Sequence, residues 1–128
     1  TPLWNHKNDF MIWGATQRKT PYNGSMWMMN VGSREKVWLD FNKDPEKAIR
    51  KARGAGYFGS DQAWICYALG PSEKKWTEFD GVCSYRMHVK NNNGEMPKGA
   101  RLVFFEGHYD PWHPRVKEQC PWIQEHYK

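Results

Sequence analysis

Tyr57-Phe58-Gly59-Ser60-Asp61-Gln62-Ala63-Trp64-Ile65 is the stretch around which the remaining chain is organised. It reads as a glycine loop, a helix N-cap and a helix with an acid and an amide on its first turn. The Ser60 hydroxyl can accept from the unpaired backbone N–H groups of that turn. Asp61 and Gln62 then lie at the positive end of the helix dipole, which favours an ionised Asp61. Ala63, Trp64, Ile65, Tyr67, Ala68 and Leu69 follow, apolar on nearly every side, so the helix is expected to be interior. Gly70-Pro71 ends it. A buried helix with its only polar pair at its mouth can present two hydrogen-bonding side chains to a ligand. The simpler alternative is that Asp61 only helps to cap the helix.

Upstream, Asp44-Pro45-Glu46 is a second helix start, with a cap, a proline at the first helical position and an acid in the first turn. That helix is expected to end at Gly54. Its cations Lys47, Arg50, Lys51 and Arg53 can grip phosphates or simply form a solvated face. Ser33 is the expected cap of an earlier helix through Phe41, with Val37, Trp38 and Phe41 on one face. Gly54-Ala55-Gly56-Tyr57-Phe58-Gly59 matches the letters of the dinucleotide fingerprint G-x-G-x-x-G. That fingerprint needs a preceding strand, and a helix precedes it here, so the dinucleotide reading is rejected.

Two strands are expected before these helices. Asp9–Trp13 is a short apolar run. Met26–Val31 is read as a buried strand whose methionines fill the core or form an adaptable binding face. Thr20–Ser25 lies between them, with turn chemistry concentrated at Asn23-Gly24. Beyond the central helix, Val82–Val89 is an expected strand and Asn91–Gly94 a turn. Arg101–Phe105 is the clearest strand, a continuous apolar run suited to a central position. It leads into Glu106-Gly107-His108-Tyr109-Asp110-Pro111-Trp112-His113-Pro114, where acids, histidines and aromatics follow a strand, and ligands of open α/β sheets bind at the carboxyl ends of strands. Cys120–Lys128 reads as a short docking helix.

Composition sets limits. The chain has 128 residues, enough for one domain with one core, and a net charge of +5 that permits an anionic partner. Eight Trp, six Tyr and six Phe suit stacking on sugars or bases, although most such rings belong in cores. Cys66, Cys83 and Cys120 are widely spaced and odd in number, giving no disulfide framework and no C-x-x-C metal site, so a cytoplasmic setting is expected. No apolar run approaches the length of a membrane span. The sequence opens at Thr1 without a methionine, and further residues are expected upstream. Glu106, His108, Asp110 and His113 have the right chemistry for metal ligands but match no standard zinc spacing. Nucleophilic catalysis lacks a G-x-S-x-G motif, and nucleic-acid binding rests on charge and aromatics alone.

Three segments, in this order, resemble the C-terminal half of retaining, family-8-like glycosyltransferases of the GT-A fold, including short forms common in phage and bacterial genomes. Tyr22-Asn23-Gly24-Ser25-Met26 is similar to the aromatic-Asn segment whose Asn contacts the donor sugar. Ser60-Asp61-Gln62 resembles the Asp-Gln pair that holds the sugar hydroxyls near the anomeric carbon. Phe104–Trp112 resembles the His-x-x-Gly-x-x-Lys-Pro-Trp loop that closes over the diphosphate. The resemblance implies an α/β chain with a mixed sheet flanked by helices. It also implies a nucleotide-sugar donor, an acceptor of unknown identity and a divalent metal, Mn or Mg. Asp61 and Gln62 would be catalytic, while Asn23, Gly24, Ser25, Gly107, His108, Asp110 and Trp112 would bind substrate.

The chain departs from that pattern at two positions. Phe104 stands where the pattern has its metal-binding His, leaving Glu106 and His108 as the substitute ligands. Asp110 stands where the pattern has its phosphate-binding Lys. The Asp-x-Asp metal motif of the family is absent from the 128 residues. The chain is therefore expected to be the back half of a longer enzyme or a form that has lost the nucleotide-binding half. In the second case the expected function is a non-catalytic module for a carbohydrate, a nucleotide or a protein.

Overall fold

The structure is a computed structural model, and it describes residues 2–14, 19–58 and 61–126. The chain forms two compact units, Thr1–Trp76 and Thr77–Lys128. Both are mixtures of helices and small sheets, in keeping with the expected α/β class.

In the first unit, β1 (Phe10–Gly14) is central, with β2 (Tyr22–Met29) antiparallel on one side and β3 (Lys75–Trp76) parallel on the other. Alternation along a strand sends Phe10 and Ile12 to one face and Met11 and Trp13 to the other. The first face is covered by α1 (Lys36–Lys43) and α3 (Asp61–Leu69), and α2 (Pro45–Gly54) packs beside α3. Phe10, Ile12, Tyr22, Cys66 and Leu69 form the core, with Val37, Tyr57 and Ile65 against it. On the other face, the Trp76 indole N–H donates to the Leu3 carbonyl (2.9 Å) and to His6 Nε2 (3.2 Å), which pins the N-terminal segment.

The sequence accounts for α2 in full. Asp44 Oδ1 accepts from the Lys47 N–H at 2.9 Å, and Pro45 occupies the first turn. At the far end, Gly56 takes φ +89°, the Gly56 N–H reaches the Arg53 carbonyl, and the Tyr57 N–H reaches the Ala52 carbonyl. This is a Schellman closure, which needs the left-handed residue that glycine supplies. A helix thus precedes the glycine run, as the rejection of a dinucleotide loop requires. Ser60, the expected cap of α3, lies with Gly59 outside the described residues.

The expected start of α1 at Ser33 is corrected. Gly32 and Arg34 both adopt positive φ (+83° and +60°), so no helix can run through them, and α1 begins at Lys36 after Glu35. Arg34 is held there by charge. It donates to Glu73 from Nε (2.6 Å) and Nη2 (2.8 Å), and to Asp9 from Nη1 (2.8 Å), with its guanidinium 5.0 Å from the Phe10 ring centre. The bonds from Glu73 and then Asp9 raise the Arg34 pKa, and the bond from Arg34 lowers that of Asp9.

The Asn23-Gly24 turn and the buried strand after it are also revised. Asn23-Gly24 lies inside β2, where the register jumps from Trp27 opposite Ile12 to Asn23 opposite Trp13. Gly24, Ser25 and Met26 therefore bulge from the ladder. The turn chemistry is real but local: the Ser25 N–H donates to Asn23 Oδ1 at 2.9 Å. Since β2 is an edge strand, only part of it is covered, and Trp27 (47 % exposed) and Met29 (46 %) emerge between the helices.

In the second unit, β4 (Val82–Ser84) and β5 (Leu102–Phe104) pair in parallel. The expected strand through Val89 stops at Ser84, where the Ser84 hydroxyl accepts the Met87 N–H and a π-helical turn, Tyr85–Val89, takes over. β5 pairs with β4 alone and is half-buried, so its central placement is corrected. The core comprises Tyr85, Val89, Val116, Cys120 and Ile123, the last three from α4 (Pro114–Gln119), its cap and α5 (Ile123–His126). Tyr85 donates to Gln119 Oε1 at 2.9 Å, and the Trp122 indole donates to the Gly94 carbonyl at 2.7 Å. Gly94 has φ +82°, and a Cβ there would sit 2.1 Å from the Gln119 carbonyl oxygen, so only glycine fits. The Cys120-initiated tail docks through Ile123, as expected. Among the described residues, no helix is long and apolar enough to cross a membrane.

Two outcomes follow for stability. The buried Tyr22 hydroxyl donates to the Gly70 carbonyl (2.6 Å) and accepts the Glu73 N–H (2.9 Å). Tyr22→Phe leaves both backbone groups unmatched and is expected to cost about 1–2 kcal/mol in urea unfolding; an unchanged midpoint would contradict this role. Burial also raises the Tyr22 phenol above 10.0 and the Cys66 thiol above 9.0. Their neutral forms favour the fold fully below the unfolded-state values, and that contribution disappears as pH rises through the folded-state values. The unfolding free energy should therefore stay level from about pH 7 to about pH 8 and fall as pH rises further, first through the thiol and then through the phenol.

Candidate functional site

The structure brings together two of the three segments singled out in the sequence. Gly24, in the β2 bulge, lies against the first two turns of α3. A Cβ placed on Gly24 would be 3.2 Å from Ile65 Cδ1 and 4.0 Å from Asp61 Oδ2. The Gln62 side-chain amide donates to Thr20 Oγ1 at 3.3 Å, tying the same helix to the residues that lead into β2. Thr20 is buried and Gln62 half-buried, while Asp61 is exposed. Asn23 shapes the bulge through its side-chain oxygen, so its part in the site is at least conformational.

Asp61 borders an open groove of about 510 Å³. Its floor is the uncovered part of β2, at Trp27 and Met29. Its walls are α1, through Val37, Trp38 and Phe41, and α3, through Trp64 and Ile65. Trp64 is fixed by its indole N–H donating to the Val37 carbonyl at 2.9 Å and by a tilted contact with Phe41 at 6.0 Å. Trp27 meets the Phe10 ring edge-on at 6.2 Å. Trp38 is 65 % exposed. Aromatic rings held by such contacts offer flat apolar faces beside a carboxylate.

The sequence places Val37, Trp38 and Phe41 on one helix face but does not show how much of that face the core covers, so the groove was missed. In the fold α1 buries none of its residues fully. The available signal was an excess: Val37, Trp38, Leu39 and Phe41 span more of the helix circumference than one core-facing stripe uses.

The third segment belongs to the second unit. Glu106 follows β5 and accepts the Ser84 hydroxyl at 2.8 Å, so both residues lie at the carboxyl ends of the parallel strands. The Ser84 backbone N–H donates to His88 Nδ1 at 2.8 Å, which requires a lone pair on that nitrogen. Tyr109 makes a tilted contact with Tyr85, with ring centres 5.5 Å apart, and carries Lys90 above its ring at 4.3 Å. Gly107 and His108 form an exposed turn, Asp110 is half-buried with its carbonyl accepting the His113 N–H, and Trp112 is exposed. A separate cleft of about 490 Å³ in this unit is bordered by Leu102, Phe105, Trp122 and His126.

A divalent cation needs several convergent oxygen or nitrogen donors. Among the described residues, no group of three or more His, Cys, Asp or Glu side chains converges to hold one. Glu106, the first expected ligand, is engaged with Ser84, and His108 stands in the exposed turn. These residues do not fit the expected metal site. The three thiols are free and buried, and burial raises each of them, so none is an activated nucleophile.

Fold and site together define a mixed α/β protein with an aromatic groove edged by a carboxylate. No protein-family model, curated protein or solved structure matches the chain.

The close approach of Gly24 to α3 generates a graded outcome. Gly24→Ala meets only the terminal methyl of Ile65 and is expected to shift stability by less than about 1 kcal/mol. Gly24→Val drives a branched side chain into Ile65 and Asp61 and is expected to cost about 1–3 kcal/mol in thermal unfolding. Equal effects of the two substitutions would mean that the bulge moves freely away from α3.

Proposed function

We propose that the chain is the sugar-binding portion of a nucleotide-sugar-dependent glycosyltransferase resembling the GT-A type. One observation carries this reading. The Asn23-Gly24-Ser25 bulge and Asp61 are separated by more than thirty residues, yet the Asp61 carboxylate lies 4.0 Å from the Cβ position of Gly24. Both segments are those that the family resemblance assigns to the donor sugar.

In this reading Asp61 accepts hydrogen bonds from sugar hydroxyls. Gln62 holds the first turn of α3 against Thr20, and Gly24, lacking a side chain, lets the β2 backbone approach Asp61 and Ile65 of α3. Such contacts hold the anomeric carbon in line for attack. The acceptor oxygen bonds to that carbon as its bond to the diphosphate oxygen breaks. The nucleoside diphosphate leaves with the electron pair, and the acceptor proton passes to the departing phosphate oxygen.

The second reading, a module that binds sugar without transferring it, is favoured by Phe104 at the metal-binding position of the pattern and Asp110 at its phosphate-binding position.

The test uses the full-length gene product, titrated calorimetrically with uridine-diphosphate sugars in Mn- and Mg-containing buffer, with release of uridine diphosphate measured in parallel. Wild type is expected to bind and to release the diphosphate. Asp61→Ala should weaken binding about tenfold or more through loss of charge-assisted hydrogen bonds. Its folding stability should change by no more than about 1 kcal/mol, the scale of a helix-dipole contribution. Binding without release would select the non-catalytic reading. Undiminished affinity in Asp61→Ala would remove Asp61 from the sugar site.

A further inference from the structure

The groove beside Asp61 has a charge arrangement unsuited to the anionic half of a nucleotide sugar. Its charged border residues are Arg34, Glu35 and Asp61. Arg34 is already bound by two carboxylates, Glu73 at 2.6 Å and Asp9 at 2.8 Å. Its positive charge is therefore matched before any ligand arrives. A diphosphate would find no unmatched cation among the described border residues. The long cations of α2, Lys47, Arg50, Lys51 and Arg53, do not border the groove.

The groove does offer flat apolar surface with hydrogen-bonding groups at its margin. Trp27 and Trp38 expose their rings, and Phe41 and Trp64 complete the apolar wall. Ser33, Glu35 and Asp61 supply polar atoms around it. Sugar rings have the matching character, with C–H groups on the ring faces and hydroxyls around the edge. The volume of about 510 Å³ falls among small-ligand sites, well short of the broad contact of a protein interface.

We infer that this groove binds a neutral saccharide acceptor, whose ring faces stack on Trp38 and Trp27. The assignment of this saccharide as acceptor rests on the transferase reading above, whereas the neutral-saccharide specificity rests on the groove alone. The donor hydroxyls and the acceptor would then meet at Asp61, with the acceptor running along α1.

The test titrates the full-length protein with maltotriose, cellotriose and chitotriose, following tryptophan fluorescence and binding heat, and repeats the donor titration separately. At least one neutral trisaccharide should bind, and its affinity should exceed that of sialyllactose, an anionic comparator. Trp38→Ala, at a position 65 % exposed, should keep the wild-type thermal midpoint, weaken trisaccharide binding about tenfold and leave uridine-diphosphate-sugar affinity unchanged. Trp38→Phe should restore most of the loss. Donor binding by wild type with no response to any of the three trisaccharides would overturn the inference and leave the transferase reading standing. Trisaccharide binding that depends on Trp38, with no donor binding, would uphold the groove and overturn the transferase reading. Equal trisaccharide affinity in Trp38→Ala and wild type, or preference for sialyllactose, would also overturn the inference.

Discussion

The hydroxyl of Tyr22 is the point through which the first unit is closed. Tyr22 begins β2, yet its phenol crosses the core to the end of α3, where it donates to Gly70 and accepts from Glu73. Its own backbone carbonyl accepts the Cys66 thiol at 3.5 Å. One side chain thus fixes the strand against both the last turn of the helix and the segment entering β3. A buried hydroxyl without partners would be costly, so these bonds and the core packing of the ring support one another. The placement of Glu73 has a further effect: its carboxylate faces Arg34, and the pair holds the chain in the left-handed conformation just ahead of α1.

That clamp shapes the groove. With Gly32 and Arg34 both at positive φ, the connection from β2 turns sharply, and α1 starts two residues later than a Ser33 cap would have started it. The shortened helix covers Phe10 and Ile12 but leaves Trp27 and Met29 partly open. A continuous helix from Ser33 would have presented its apolar residues in another rotation. The ion pair and the uncovered aromatics are therefore linked through backbone geometry, and the groove arises where local helix propensity yields to a tertiary charge contact.

Legibility in the sequence followed how local each signal was. The helix α2 was readable because its determinants, Asp44, Pro45 and Gly56, act within a turn of its ends. The interior character of α3 was readable because apolar residues occupy it all round. Val82–Val89 misled because β-branched and aromatic residues suit a strand, whereas the Ser84 hydroxyl starts a helical turn by capping Met87. Phe104 and its neighbours are apolar enough for a central strand, but number of partners is a tertiary property and β5 has one. Asn23-Gly24 carries hairpin chemistry that the fold uses as a bulge, since the ladder with β1 resumes beyond it. At the site, Asp61 and Gly24 were legible one by one, while their proximity depends on how α3 crosses β2.

Charge illustrates the same distinction between a chain and a site. Residues 1–76 hold 12 Lys and Arg against 7 Asp and Glu, and residues 77–128 hold 7 of each, so the whole net charge of +5 belongs to the first unit. Taken alone, that excess points to an anionic ligand. Yet four of the cations stand on α2, where Arg50 pairs with Glu46 across 3.5 Å of exposed surface. Such exposed charges are screened over about 8–10 Å at physiological salt. Arg34, the cation that does border the groove, is matched by two acids. The unit as a whole is basic, yet the cation that borders the groove is already matched, and the basic surface of α2 stands apart from it. The net charge of a unit is thus a poor guide to any one surface on it, because screening confines each exposed charge to its own neighbourhood.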